Sequence, residues 1–509
     1  MAAPLTPWRL AELLRGFTET PLEADCAIGS LGLDSRTLQP GGLFLACRGG
    51  QRHALEFLPQ VLIQGAAAVA YEPDPAWPLE RIRAAAGPAR LPLVAAPGLS
   101  QRASAIAARF FHQPTQQLRV VGVTGTNGKT SCTHFLAQAL APELPCGIIG
   151  TCGRGLPGQL REGMHTTPDP VEVQSLCAEL LAAGARAVAM EVSSHALDQG
   201  RVAAVRFDTA VLTNLTHDHL DYHGDMENYA MAKQRLFQTP HLRCAVLNLD
   251  DPFGGRLLAT AAPGVRLIGY SLRNERPPQA VLAGWIYATE VTPLPTGLRI
   301  RWRGSFGEGE FEAPLLGRFN AANLLAVAAV LLEQGMDPQQ VAARFARLQR
   351  VPGRMEPVGG MDGQPLVVVD YAHTPDALEQ VLTALREHRP GRLWCLFGCG
   401  GDRDRAKRPK MGAIAERLAD RVIVTDDNPR GEDGDLIVQE ILAGMTTPAR
   451  VTVERDRARA IQQAVAGAAA GDLVLVAGKG HERTQQIGER KFPFSDHEEV
   501  LRALGRGAA

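Results

Sequence analysis

The stretch GVTGTNGKTS, Gly122–Ser131, stands behind the apolar run LRVV and in front of a helical pattern. A strand, a glycine-rich turn and a helix beginning near Thr130 aim backbone N–H groups and the positive end of a helix at an anion. In that reading Lys129 neutralises the β and γ phosphates of a nucleotide, and the Thr130 hydroxyl reaches a bound Mg2+. The strict Walker A spacing fails, because Val123 stands where a glycine is required. The loop is therefore read as a phosphate cradle made of Gly125, Thr126, Asn127, Gly128, Lys129, Thr130 and Ser131. What the nucleotide is used for must come from the rest of the chain.

A chain of 509 residues is too long for one ordinary core, and about two to four domains are expected. Apolar residues make up 45% and charged residues 21%, as in globular proteins, and the formal net charge is −1. Lys and Arg are spread without a basic block, so there is no electrostatic footprint for nucleic acid or for an anionic membrane. The opening MAAPLTPWRLAELLRGF carries Arg9, Glu12 and Arg15 at helical spacing, which interrupts any signal-peptide core. The longest apolar run, Leu324–Gly335, is short of the ~20 residues a bilayer span needs. A cytoplasmic protein with small-molecule partners is expected. Nine scattered cysteines argue for reduced thiols, and Cys395 and Cys399 read as buried strand-end thiols.

Three α/β regions follow from the patterning. Residues 1–97 suggest a small α/β domain containing the polar turn LDSRTLQPGG. Residues 98–350 alternate strand and helix, as a parallel sheet with crossovers requires, and change to an antiparallel excursion between roughly 265 and 315. Residues 351–509 repeat the alternation with PLVVVDYAHTP, GRLWCLFGCGGD, DRVIVTDDNPR and DLVLVAGKGHE. Each apolar run ends in a polar cluster, and the four clusters should meet on one rim beyond the carboxyl ends of the strands.

Metal ligands are sought near the phosphate loop. Glu191 ends the run AVAMEVSSH, where a carboxylate can approach a nucleotide's magnesium. NLTHDHLDYHG supplies His217, His219 and His223 with Asp218 and Asp221. The cluster is compatible with zinc, although a hard-metal site beside the phosphates suits it better, since H-E-x-x-H spacing is absent. Lys233, in YAMAKQRLF, reads on its own as an exposed helical lysine.

Taken together, GTNGKTS, HTTPDP, EVSSHAL, TNLTHDHLDYHG, the AKQ around Lys233, GRFNAANLLA, PGRMEPV, DYAHTPDAL, GCGGDRDRAKRP, TDDNPR and AGKGHE resemble the Mur ligases of peptidoglycan synthesis. The matches run in order from about residue 33 to residue 497, and the family's own loop is G-T-N-G-K-T/S. The resemblance implies three domains: one holding a uridine nucleotide, a central ATPase domain, and a Rossmann-like domain that brings an amino acid. It implies an ATP-dependent acid–amino-acid ligase that makes an acyl phosphate for an amine to attack. It places Lys129, Thr130 and Glu191 on a first magnesium, gives His219 to a second, and makes Lys233 carbamylated beside the metals. It sets Asn320 and Asn323 at the adenine, and Arg354 and Asp370 at the phosphates and ribose. Ser35 becomes a uridine contact, and Thr166, Thr167, Ser193, Gln199 and Arg201 hold the muramoyl dipeptide. One departure stands in RGGQRHALEF, where relatives often show Asp-Gly or Asp-Ser and this chain has His53-Ala54.

The run DNPR, Asp427–Arg430, speaks to the amino acid. Diaminopimelate carries a second carboxylate that lysine lacks, and a guanidinium matches a carboxylate with two prongs. Pro429 fixes the turn before Arg430. In the family, DNPR marks enzymes that add diaminopimelate, with Arg403, Asp427, Asn428, Gly478 and Glu482 completing the set. The resemblance thus implies ligation of meso-diaminopimelate onto UDP-N-acetylmuramoyl-L-alanyl-D-glutamate by a monomer. A lysine-adding relative, a ligase like folylpolyglutamate synthetase, and a P-loop NTPase switch are the alternatives.

Overall fold

The computed structural model describes residues 7–18, 24–49, 52–88, 91–163, 165–273, 281–294, 297–360, 363–388 and 391–505. The first six residues of the opening stretch, and Gly50 and Gln51 of RGGQRHALEF, lie outside them.

The first region is a parallel sheet of Ser30–Gly32, Gly42–Ala46, Ala68–Tyr71 and Leu93–Ala95 in chain order. The helix Leu99–Phe110 buries Leu99, Ala103, Ile106, Ala107 and Phe110 in one cluster with Leu43, Leu45 and Ala70 of that sheet.

The central sheet has ten strands. Its spatial order runs Gly307–Ala313, Gly297–Gly304, Gly284–Leu294, Arg266–Ser271, Cys244–Asn248, Thr209–Leu212, Arg119–Thr124, Ala187–Glu191, Cys146–Gly150, Gly153–Gly155. Seven strands, from Gly284–Leu294 to Cys146–Gly150, pair in parallel, and antiparallel hairpins close both ends. The antiparallel excursion therefore begins later than the pattern near residue 265 suggests. Arg266–Ser271 still pairs in parallel on both sides, and only the far edge of Gly284–Leu294 turns antiparallel. These strands are two-faced only where one face meets solvent, which is why they alternate and the inner strands do not.

The apolar run Leu324–Gly335 is the core of the helix Arg318–Glu333, whose residues Leu324–Leu332 are all buried against the sheet and the helix Lys129–Leu140. A helix apolar on every side is a helix covered on every side. Among the described residues no helix is long and apolar enough to cross a membrane.

The third region orders its strands Glu356–Gly359, Leu366–Asp370, Leu473–Ala477, Leu393–Phe397, Arg421–Val424, Thr452–Val453, all parallel except the first. All nine cysteines are free, and Cys395 and Cys399 are buried at a strand and its end.

Candidate active site

Strand order in the central sheet reverses at Arg119–Thr124, which has Thr209–Leu212 on one side and Ala187–Glu191 on the other. Ligands of open α/β sheets bind at such a switch point, and the loop 125–128 lies there. Backbone geometry explains its glycines. At Gly125, φ is 147° and a Cβ would lie 1.8 Å from Thr213 Oγ1; at Gly128, φ is 86° and a Cβ would meet Asn323 Oδ1 at 2.5 Å. The loop is held from outside by Thr126 N donating to Asn214 O and Asn127 N to Asn214 Oδ1, each at 2.9 Å.

Lys129 folds back over the loop, its Nζ donating to the Gly125 and Thr126 carbonyls at 2.8 Å each. Burial lowers its pKa against the pull of Glu191 and Asp218. Thr130 Oγ1 donates to Glu191 Oε2 at 2.9 Å, and Thr151 N to Glu191 Oε1 at 2.8 Å. Glu191 is 1% exposed, yet it lines the cleft together with Thr130, Asp218 and His219. This donor set fits a hard cation: magnesium is held by one or two carboxylates, hydroxyls and substrate phosphates rather than by an all-protein cage.

The opposite wall of the cleft is the third region. Arg354, Asp370, Tyr371, His373 and Ala377 face the phosphate loop. Arg354 Nη2 lies 3.2 Å from Thr130 Oγ1, and its guanidinium stacks 4.4 Å over the Tyr371 ring. Asn127 Nδ2 donates to Asp376 Oδ2 at 2.9 Å across the same gap. Asp370 accepts from Met355 N at 2.7 Å and Ala372 N at 2.8 Å, and its burial raises its pKa despite Arg354 nearby. Asn323 lines the cleft, whereas Asn320 stands behind it, accepting from Asn323 Nδ2 at 3.0 Å.

The histidines part company. His217 leans towards Asp404 of the third region at 4.0 Å, His223 Nε2 bonds Ser194 Oγ at 2.9 Å, and only His219 lines the cleft. The strand Thr209–Leu212 stops well before them, and His219 takes a left-handed φ of 55°. Among the described residues no group of three His, Cys, Asp or Glu side chains is placed to hold a metal ion. Burial holds the His219 pKa down at about 3, with Asp218 opposing, so it stands as a neutral imidazole.

Lys233 corrects its reading as an exposed lysine. It is 1% exposed, Nζ donates to Gly125 O at 2.9 Å, and it sits 4.4 Å over the Tyr229 ring. Its place is behind the phosphate loop rather than on the cleft wall.

The dipeptide candidates do gather. Thr167 Oγ1 donates to Glu191 O at 2.8 Å and accepts from Ser193 N at 3.0 Å; Arg201 Nη1 donates to Thr167 O at 2.8 Å and Nη2 to Gln199 Oε1 at 2.6 Å. Thr151 Oγ1 reaches Thr166 Oγ1 at 3.0 Å. Ser35 lies apart in the first region, bonded to Gln60 Oε1 at 2.9 Å. In the same region His53 explains the departure from Asp-Gly. Its Nδ1 accepts from Leu55 N at 3.1 Å, as an aspartate cap does, which leaves Nε2–H to donate to Glu72 O at 2.9 Å.

On the rim of the third region, Gly401 N donates to Asn428 O at 2.9 Å and Arg430 Nη1 to Gly401 O at 2.8 Å. Asn428 Nδ2 donates to Glu482 Oε2 at 2.9 Å, and Gly478 N to Asp370 O at 3.0 Å. The four strand-end clusters thus meet, as a parallel sheet demands. Arg403 and Arg430 flank Gly400, and neither pairs with a carboxylate among the described residues. Sequence reasoning missed Lys479, 0% exposed between the glycines of AGKGHE, and Arg408, 0% exposed, which ties the Gly400 carbonyl to Glu432 and Glu440. Alternation of strand and helix could have flagged both, because each stands at a strand end or helix start on the predicted rim.

Fold and site define a phosphate-loop α/β protein in which two domains share one cleft, with unpaired guanidinium groups on the far side. The Mur ligase middle domain matches residues 123–331, and the Mur ligase glutamate ligase domain matches residues 353–480. The chain is 53% identical over 500 residues to UDP-N-acetylmuramoyl-L-alanyl-D-glutamate--2,6-diaminopimelate ligase of Alkalilimnicola ehrlichii, covering 98% of this chain and 99% of the relative. The protein of that name from Pseudomonas aeruginosa is 51% identical, with 95% and 96% covered. A solved structure of a ligase with the same name superposes with a TM-score of 0.67 at 34% identity, covering 98% of this chain and 99% of the other. The chain belongs to the Mur ligase family.

Proposed function

We propose that the chain is an ATP-dependent ligase of peptidoglycan precursor synthesis that joins meso-diaminopimelate to UDP-N-acetylmuramoyl-L-alanyl-D-glutamate. A substrate carboxylate oxygen takes the γ-phosphoryl group of ATP, with release of ADP. The amine nitrogen then attacks the acyl carbon, phosphate leaves, and the nitrogen loses its proton. A free carboxylate has a poor leaving group; the phosphorylated one does not.

Residues 1–97 take the uridine end through Ser35, residues 98–350 the ATP, and residues 351–509 the amino acid. Gly128–Ser131 present backbone N–H groups to the phosphates, and Lys129, released from the two carbonyls it now caps, neutralises them. Arg354 and Asp370 meet the nucleotide from the facing domain, and Asn323, oriented by Asn320, meets its base. Thr130, Glu191 and His219, with Lys233 as a carbamate in support, would hold magnesium, which would supply positive charge where two anions approach each other. Thr166, Thr167, Ser193, Gln199 and Arg201 set the dipeptide's carboxylate against the loop. Arg403 and Arg430 take the far carboxylate of diaminopimelate, while Asp427, Asn428, Gly478 and Glu482 receive its ammonium. The protein acts as a cytoplasmic monomer.

The observation that carries the choice of amine is the pair of guanidinium groups at Gly400 without a carboxylate of their own. Phosphate release measured in parallel with diaminopimelate and L-lysine, each with ATP and the UDP-muramoyl dipeptide, tests it. Diaminopimelate-dependent release is expected; equal or better turnover with lysine rejects the reading.

A further inference from the structure

Lys479 has no place in the assignments above, yet its ammonium is the hub of the amine-acceptor rim. Nζ donates to Glu482 Oε2 at 2.8 Å and to Asn428 Oδ1 at 3.1 Å, and lies 3.9 Å from Asp427 Oδ1. Asn428 Oδ1 also accepts from Gln486 N at 2.9 Å, so the amide can point only one way, with Nδ2 donating to Glu482 Oε2 at 2.9 Å. Both bonds to Glu482 fall on Oε2; Oε1 has no protein donor among the described residues. A completely buried charged lysine is rare without a partner, and here the charge is paired with the side chains that line the rim.

We propose that Lys479 is a positioning residue for the amine substrate: it locks the Asn428 amide and the Glu482 carboxylate in one arrangement that leaves Glu482 Oε1 for the distal ammonium of the diamino acid. The inference rests on the ligase reading of this rim.

The charges around it fit. Burial raises the Asp427 pKa, with Lys479 opposing; burial also acts on Glu482, where Lys479 and Asn428 prevail and the pKa is lowered. Arg457, Asp496 and His481 also act on the pair, and the Tyr371 hydroxyl and the Cys399 thiol face it too. Without the Lys479 charge, Asp427 and Glu482 become two carboxylates that share a poorly solvated site, and one of them takes a proton at higher pH.

The test compares the full-length wild type with Lys479→Met and Lys479→Arg in phosphate-release kinetics. For Lys479→Met the KM for diaminopimelate is expected to rise about tenfold or more, as loss of charged hydrogen bonds implies. Its KM for ATP stays within about twofold, and the acid limb of kcat/KM for diaminopimelate moves to higher pH. Lys479→Arg recovers part of both effects. Should Lys479→Met not fold, Lys479→Gln, which keeps a donor without the charge, carries the same expectation. Equal rises in both KM values, or an acid limb that stays in place, overturn the proposal. Absence of diaminopimelate-dependent release by the wild type instead rejects the ligase reading itself.

Discussion

Lys233 donates its Nζ–H to the Gly125 carbonyl at 2.9 Å, so an amine with no carboxylate partner among the described residues props the phosphate loop from behind. Burial, reinforced by Lys129, puts its pKa well below that of an ordinary lysine. A neutral amine is the form that adds carbon dioxide, which suits the carbamate the family resemblance implies. Depleting bicarbonate is expected to lower turnover several-fold, and restoring it to recover the loss. Indifference to bicarbonate would reject a carbamate role.

The same shift has a stability consequence. A lysine whose folded pKa lies below its unfolded value near 10.4 lets the unfolded chain bind the proton more readily between the two pKa values. Stability from this group is then lowest at low pH and rises with pH through that window. In bicarbonate-depleted protein, where Lys233 is the free amine, the rise disappears in Lys233→Met, which urea unfolding between about pH 7 and 10 reads as a flatter profile. An unchanged slope counts against a buried, depressed amine.

Gly125 tests the loop's geometry. A Cβ there would overlap Thr213 Oγ1 at 1.8 Å and press on the Asn214 backbone at 3.0 Å. Gly125→Ala should cost about 1–3 kcal/mol of stability, as overpacking does, and should raise the KM for ATP. Gly255→Ala, in the helix Pro252–Thr260, is the control, since its Cβ would meet nothing within 4 Å and its φ is not left-handed; it keeps the wild-type KM for ATP.

Much of this arrangement can be read from the residues. A parallel sheet forces every strand's carboxyl end onto one rim, so DYAHTP, GCGGD, DNPR and GKGHE converge wherever their strands pair. What stayed hidden were properties that depend on partners distant in the chain. YAMAKQRLF has nothing local to show that Lys233 points inward at Gly125, over a hundred residues earlier. The spacing of His217, His219 and His223 could not show that the strand ends at Leu212, with His217 turned towards Asp404 while His219 and His223 both pack against His195 and Tyr229. His53 looked like a lost aspartate because a histidine's Nδ1 is rarely counted as a helix cap.

That cap can be checked directly. Removing an N-cap acceptor costs roughly 0.5–2 kcal/mol, and His53→Ala also leaves the Glu72 carbonyl without its donor. His53→Asp restores the acceptor to Leu55 N and should recover most of the stability in thermal melts. A His53→Asp variant as unstable as His53→Ala would show that the bond to Glu72 O dominates.

Arg457 and Asp496 form a bidentate ion pair at 2.6 and 2.7 Å, and both side chains are 0% exposed. Removing one partner of such a pair leaves an uncompensated buried charge, at a cost of about 3–5 kcal/mol. Asp496→Ala should show this in chemical unfolding. A change below about 1 kcal/mol would mean that water or Asp427 takes over the guanidinium.

Arg430 is the residue proposed to decide which amine is joined. Its φ of 50° and the bonds Arg430 N to Gln486 O at 3.1 Å and Gly488 N to Arg430 O at 2.7 Å pin its backbone to the hairpin Thr484–Pro493. Of its five N–H donors, one is committed to the protein, Nη1 to Gly401 O at 2.8 Å. The rest are available for a carboxylate, and a charged hydrogen bond is worth about 1.5–3 kcal/mol, or roughly ten- to a hundredfold in binding. Arg430→Ala is therefore expected to raise the KM for diaminopimelate by about that factor while the KM for ATP stays within about twofold. Its preference for diaminopimelate over L-lysine should narrow together with that loss, since lysine has no second carboxylate to miss the guanidinium. If both KM values rise together, Arg430 holds the fold of the rim rather than the substrate.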